Sequence, residues 1–70
     1  MTDGDVYKIV ELVGTSKTSW EDATKAAVKS AAKTVKGIRS AYVQDMLAVV
    51  SENEVTEYRV TVKISFEVYS

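Results

Sequence analysis

The sequence predicts an α+β fold in which one helix packs on a three-stranded antiparallel sheet, in the order β-α-β-β. Three observations carry that prediction. One stretch, Thr18–Gly37, repeats its apolar residues at helical spacing. Another, Val55–Tyr69, alternates apolar and polar residues almost without exception. Two further segments rich in β-branched residues, Val6–Val13 and Ile38–Val50, are set off by glycine and by a polar loop. Seventy residues is one domain, so residues 1–70 are read as a single unit.

Met1–Asp5 reads as a short lead-in. In Val6–Val13, Val6, Lys8, Val10 and Leu12 share one parity, and Tyr7, Ile9, Glu11 and Val13 the other. Neither set is plainly polar, so both faces are expected to be at least half covered. One helix covers one face only, which leaves the second for neighbouring subunits. Gly14-Thr15-Ser16-Lys17 reads as the turn into the helix. A glycine followed by hydroxyl residues near a helix start could cradle an anion. The P-loop and dinucleotide patterns are absent, and a turn plus cap is the preferred reading.

Within the helical stretch, Trp20, Ala23, Ala27, Val28, Ala31 and Val35 form the apolar stripe, opposite Glu21, Asp22, Lys25, Lys29, Lys33 and Lys36. Thr18 with Glu21 fits a capping box, Ser19 is an alternative cap, and Gly37 supplies the stop. Acids in the first turn and lysines in the last turns suit the helix dipole. The buried stripe is mostly alanine, which permits close approach to a sheet but buries little area. A large core is beyond it.

Ile38–Val50 has Ala41, Val43, Asp45, Leu47 and Val49 on one parity, and Tyr42, Gln44, Met46, Ala48 and Val50 on the other. Asp45 interrupts an apolar row, as an acid does at a sheet rim, facing a symmetry axis or holding an ion. Ser51-Glu52-Asn53-Glu54 reads as a polar hairpin loop. In the last strand Tyr58, Val60, Val62, Ile64, Phe66 and Val68 face one way, and Glu57, Arg59, Thr61, Lys63, Ser65 and Glu67 the other. At about 3.3 Å per residue that strand spans about 50 Å, too long for a lone small globule. Part of it is expected to pair across a subunit boundary, since a long bare edge aggregates. The helical crossover makes the first two strands run the same way, so placing the third between them makes every neighbour antiparallel.

Composition narrows the function. There is no Cys and no His, which removes disulfides, the common zinc sites, the commonest general base and the commonest covalent nucleophile. A small domain without such staples leans on oligomerisation or oxygen-ligated metals. The 46% hydrophobic content is high for so small a unit and reads as subunit interface. The net charge of −1, without a basic face carrying interleaved aromatics, predicts no nucleic-acid binding. No apolar run reaches membrane-spanning length and the MTDGD start is polar, so a cytoplasmic, non-membrane protein is expected, and no enzyme.

The strand and helix start VYKIVELVGTSKTSWEDA, the helix ending KTVKGI and the hairpin ending EYRVTVKISFEV resemble the dodecin family over nearly the whole chain, without a gap. The resemblance implies a βαββ subunit in a hollow homododecamer of cubic symmetry. Flavin-binding dodecins stack a tryptophan from strand 2 on the isoalloxazine ring and hydrogen-bond it with a glutamine from strand 3. Those positions fall on Ser40 and Arg59. Serine offers no π face, and arginine accepts no hydrogen bond, although it pairs with phosphates. Tyr42, of the same parity as Ser40, is the best substitute stacker; Trp20 reads as the helix's anchor on the sheet.

Ser19-Trp20-Glu21, Ile38-Arg39, Gln44-Asp45-Met46 and Tyr58-Arg59 resemble the calcium-dodecin branch, which lacks the flavin tryptophan. Calcium takes several oxygen ligands, and no EF-hand loop is present, so a site would be assembled between subunits with water completing it. Glu21 and Asp45 are the candidate ligands, with Asp22 behind them; the readings weighed ahead of that are helix-start electrostatics for Glu21 and Asp22, and a rim hydrogen bond or salt bridge for Asp45. The expected function is a non-enzymatic, dodecameric small-ligand binding or storage protein that takes calcium or another divalent cation. The alternative is a flavin buffer, for FMN or riboflavin, using Tyr42 and Arg59. A purely structural shell is the third reading.

Overall fold

The computed structural model describes residues 5–68, so Met1–Gly4 of the lead-in and Tyr69 of the last strand lie outside the described residues. The elements are β1 (Tyr7–Ser16), α1 (Trp20–Ala31), β2 (Ile38–Ser51) and β3 (Glu54–Glu67). The sheet order is β1-β3-β2, antiparallel throughout, with the long alternating strand in the centre as expected. No helix among the described residues is long and apolar enough to cross a membrane.

β1 runs three residues past Val13. Gly14, Thr15 and Ser16 are not a turn; they pair with Val60, Arg59 and Tyr58 of β3. The central strand is long enough to keep offering partners, so β1 continues. Gly14 is the point of closest helix approach. A Cβ placed there would collide with the Ala23 carbonyl oxygen and sit 3.1 Å from the Ala27 Cβ. Its role is to have no side chain, with no unusual backbone angle involved.

The helix is capped by Ser19, not Thr18. The Ser19 Oγ accepts a hydrogen bond from the Asp22 amide at 3.0 Å. Thr18 lies in the tight turn before it, where its amide donates to the Ser16 Oγ at 2.9 Å. The helix also ends earlier than Gly37. After Ala31 the bonds tighten: Lys33 N–H donates to the Ser30 carbonyl, and Thr34 and Val35 both donate to that of Ala31. The alanine stripe has reached the end of its seat on β1 and β3, and the chain must leave the helix axis to enter β2. Gly37 does take a left-handed φ of 77°, but as the entry to β2, where its carbonyl accepts from the Glu67 amide.

Ala23, Ala27 and Ala31 form the core with Val60, Val62 and Ile64 of β3; Val10, Leu12, Val28, Ile38, Ala41 and Val43 pack around it. Fully burying each of the β3 side chains is worth about 1.5–3 kcal/mol. The core is small, and the molecule around it is long. The radius of gyration is 14.7 Å, where a compact 70-residue domain has about 11 Å. The accessible surface is 5469 Å², against about 4,300 Å² for a compact monomer of this mass. One chain leaves surface that a single helix does not cover.

The hairpin loop predicted at Ser51–Glu54 is a two-residue turn. Glu52 and Asn53 both have positive φ, 53° and 65°, between the paired Ser51 and Glu54. Two left-handed residues match the twist of the strands they join.

Candidate ligand-binding face

The register sorts the sheet into two faces. Facing the helix are the rows Val10·Ile64·Ala41, Leu12·Val62·Val43, Gly14·Val60·Met46 and Ser16·Tyr58·Ala48. Facing away are Ile9·Ser65·Ser40, Glu11·Lys63·Tyr42, Val13·Thr61·Asp45 and Thr15·Arg59·Leu47. The outer face is therefore mixed, with Ile9, Val13, Tyr42 and Leu47 all half exposed or more.

Asp45 lies on this outer face and does not interrupt the row of Ala41 and Val43. The register shifts between Val43 and Asp45, so Gln44 is the extra residue of a β-bulge. Strict alternation assigns Asp45 the same side as Val43; the bulge reverses the parity, and Asp45 pairs with Thr61. The signal was present as two successive polar residues, Gln44-Asp45, between apolar Val43 and Met46.

The structure gathers Ser40, Tyr42, Asp45 and Arg59 on one face. It does not gather Glu21 and Asp22 with them, because these sit in the first turn of α1, over the opposite face. Asp22 is engaged there: its carboxylate accepts from the Ser16 Oγ at 2.8 Å while its amide is capped by Ser19. Ser16, buried, is the centre of this junction, since its Oγ also accepts from the amides of Thr18 and Ser19. The sequence reading missed that role. Glu21 remains exposed. Among the described residues no three carboxylates of one chain lie together, so a cage of that kind needs more than one subunit.

Two of the flavin-pocket equivalents, Ser40 and Arg59, are engaged in local contacts. The Ser40 hydroxyl hydrogen-bonds the Ser65 hydroxyl across the strands. The Arg59 Nε donates to the Glu57 carboxylate. Tyr42 is 65% exposed. Along β3, Lys63 (the partner of Tyr42) and Arg59 are four residues apart, about 13 Å. Trp20 is on the other side of the sheet. Its ring meets Tyr58 edge-on, with centroids 5.0 Å apart at 74°, and its Nε1 donates to the Leu47 carbonyl at 3.0 Å. It anchors the helix to the sheet, as expected.

This arrangement, a βαββ subunit with an unfinished outer face, is matched by the dodecin family model over residues 6–69. The chain belongs to the dodecin family. Calcium dodecin of Mycobacterium tuberculosis is 47% identical over 64 residues, covering 89% of this chain and 87% of that protein. The crystal structure of that calcium-chelating antigen, described as having a novel calcium-binding site, superposes with a TM-score of 0.80 at 38% identity over 91% of each chain. A crystal structure of a Thermus thermophilus dodecin variant gives a TM-score of 0.89 at 37% identity, covering 96% of this chain and all of that one. A calcium-chelating relative and other dodecins thus share this one subunit fold.

Proposed function

We propose that this dodecin is a non-enzymatic binding protein that assembles as a homododecamer and holds calcium, or another hard divalent cation, through carboxylates contributed by several subunits. One observation carries the reading: Asp45 stands on the open outer face and makes no hydrogen bond or ion pair among the described residues. The similarity to a calcium-chelating dodecin supports it. So does the Ser40–Ser65 pair, which puts a small hydroxyl where a flavin ring would need an aromatic plane. Twelve-fold assembly accounts for the surplus surface and the elongated shape. Glu21 is the second ligand we assign, from a neighbouring subunit, with Asp22 kept in support by its bond to Ser16.

Titration calorimetry of calcium into the assembled protein tests this. We expect a saturable heat that Asp45→Asn removes and Glu21→Gln weakens. A wild-type protein with no calcium heat sinks the proposal.

The exposure of Tyr42 favours one second reading, a flavin pocket formed by Tyr42 and Arg59. It requires Arg59 to leave Glu57 for the FMN phosphate. Strong quenching of FMN and riboflavin fluorescence, abolished by Tyr42→Ala, would establish it; equal and negligible quenching of both retires it.

A further inference from the structure

Four acidic residues lie on the outer-face positions of the three strands, and two of them are held in ion pairs. Glu57 is paired with Arg59, Glu67 with Arg39, and Glu11 stands across the strands from Lys63. Asp45 instead faces Thr61, a hydroxyl. Of the two cations diagonal to it, Arg59 is held by Glu57, and Lys63 stands in register with Glu11. A carboxylate so placed is available to an incoming cation.

The bulge adds to it. A β-bulge sets two residues of one strand against a single residue of its partner, and here Gln44 and Asp45 share the place opposite Thr61. Residues directly opposite have Cβ atoms about 4.5–5.5 Å apart. That span is bridged by one ion with ligand bonds of about 2.3–2.6 Å. The three residues at that place carry an amide, a carboxylate and a hydroxyl, each bearing an oxygen. Hard divalent cations are held by such oxygen sets, with water and further carboxylates completing the shell. Asp45 and Gln44 are both exposed, and Thr61 is partly so.

We propose that the bulge builds a three-oxygen half-site for a divalent cation, in which the Gln44 side-chain carbonyl and the Thr61 hydroxyl join the Asp45 carboxylate, the rest of the shell coming from water and a neighbouring subunit. The inference rests on the calcium reading above and adds two neutral ligands to it. It also assigns the bulge a purpose: without the extra residue the ladder would still set Asp45 against Thr61, but no amide would stand beside it.

Calorimetry with calcium alone, on the assembled protein and its variants, separates this inference from the reading it rests on. Gln44→Ala and Thr61→Val should each weaken binding about tenfold, the lower end of what loss of a supporting contact around a metal does. Gln44→Glu should tighten it, because a second carboxylate replaces a neutral oxygen; a merely structural role for Gln44 predicts no such gain. Light scattering and circular dichroism confirm that each variant is assembled and folded. If Asp45→Asn abolishes binding while all three variants match wild type, the half-site is wrong and the calcium reading stands. Absence of binding by the wild type overturns both.

Discussion

The two faces of the sheet are made by the same three strands and finished by opposite means. Toward the helix, Val60, Val62 and Ile64 are fully buried within one chain by three alanines of α1. Away from it, Ile9, Val13 and Tyr42 stay more than 60% exposed beside Asp45 and Arg59. The inner face is complete as soon as the subunit folds. The outer face, with Ile9, Val13 and Tyr42 open beside polar groups, is left uncovered by its own chain. A substitution's effect should therefore depend first on which face it meets.

The largest effects are expected at Gly14 and Ile64. Gly14→Ala forces the strand away from the Ala23 carbonyl, and overpacking of this kind costs about 3 kcal/mol where backbone must move. Ile64→Ala, which opens a cavity at the buried centre, should cost a similar 2–5 kcal/mol. Both should lower the thermal midpoint measured at a fixed protein concentration, the condition under which oligomer midpoints compare. On the outer face, Ile9→Lys should act differently. It should shift light scattering from the assembly to smaller species while the far-ultraviolet circular dichroism keeps its β-rich form. An Ile9→Lys variant that unfolds like Ile64→Ala would erase the distinction between the faces.

The inner face was legible in the sequence because alternation in β3 is nearly strict and the alanine stripe repeats every four residues. Those regularities located the central strand, the helix and the antiparallel order. What escaped were the places where period gives way to geometry. Gly14 looked like a turn residue, and only the helix crossing over it reveals a close approach. Gly37 looked like a helix stop, whereas the helix ends at Ala31 because the chain must swing to β2. Asp45 was identified as a candidate ligand, yet its face was misread, since a single extra residue inverts everything that parity says. Ser40 and Arg59 were placed by likeness to a family. Their present partners, Ser65 and Glu57, follow from the register and were not legible without it.

Trp20 sharpens the comparison at the helix start. Its indole packs edge-on against Tyr58 and reaches the Leu47 carbonyl, so it ties α1 to both β3 and β2. Trp20→Phe keeps most of the apolar contact and loses the hydrogen bond, which is worth about 1 kcal/mol. We expect a small drop in thermal midpoint with calcium and flavin responses unchanged. A change in ligand binding would mean that the two faces communicate through Leu47, which lies on the outer row beside Arg59.

The smallest effect lies beyond both faces, at the hairpin. Glu52 holds a φ of 53°, a conformation that a side chain with a Cβ disfavours and that asparagine tolerates better. The neighbouring Asn53 already meets that demand. Glu52→Asn should therefore stabilise the protein by up to about 1 kcal/mol, part of the cost that a left-handed conformation imposes on a residue with a Cβ. The gain should appear as a slower unfolding rate or a raised midpoint, with the same mass by light scattering and the same calcium heat. A stabilised hairpin that altered assembly would show that the turn is itself a subunit contact, and that the surface completed by other copies extends past the outer face to the tip of the sheet.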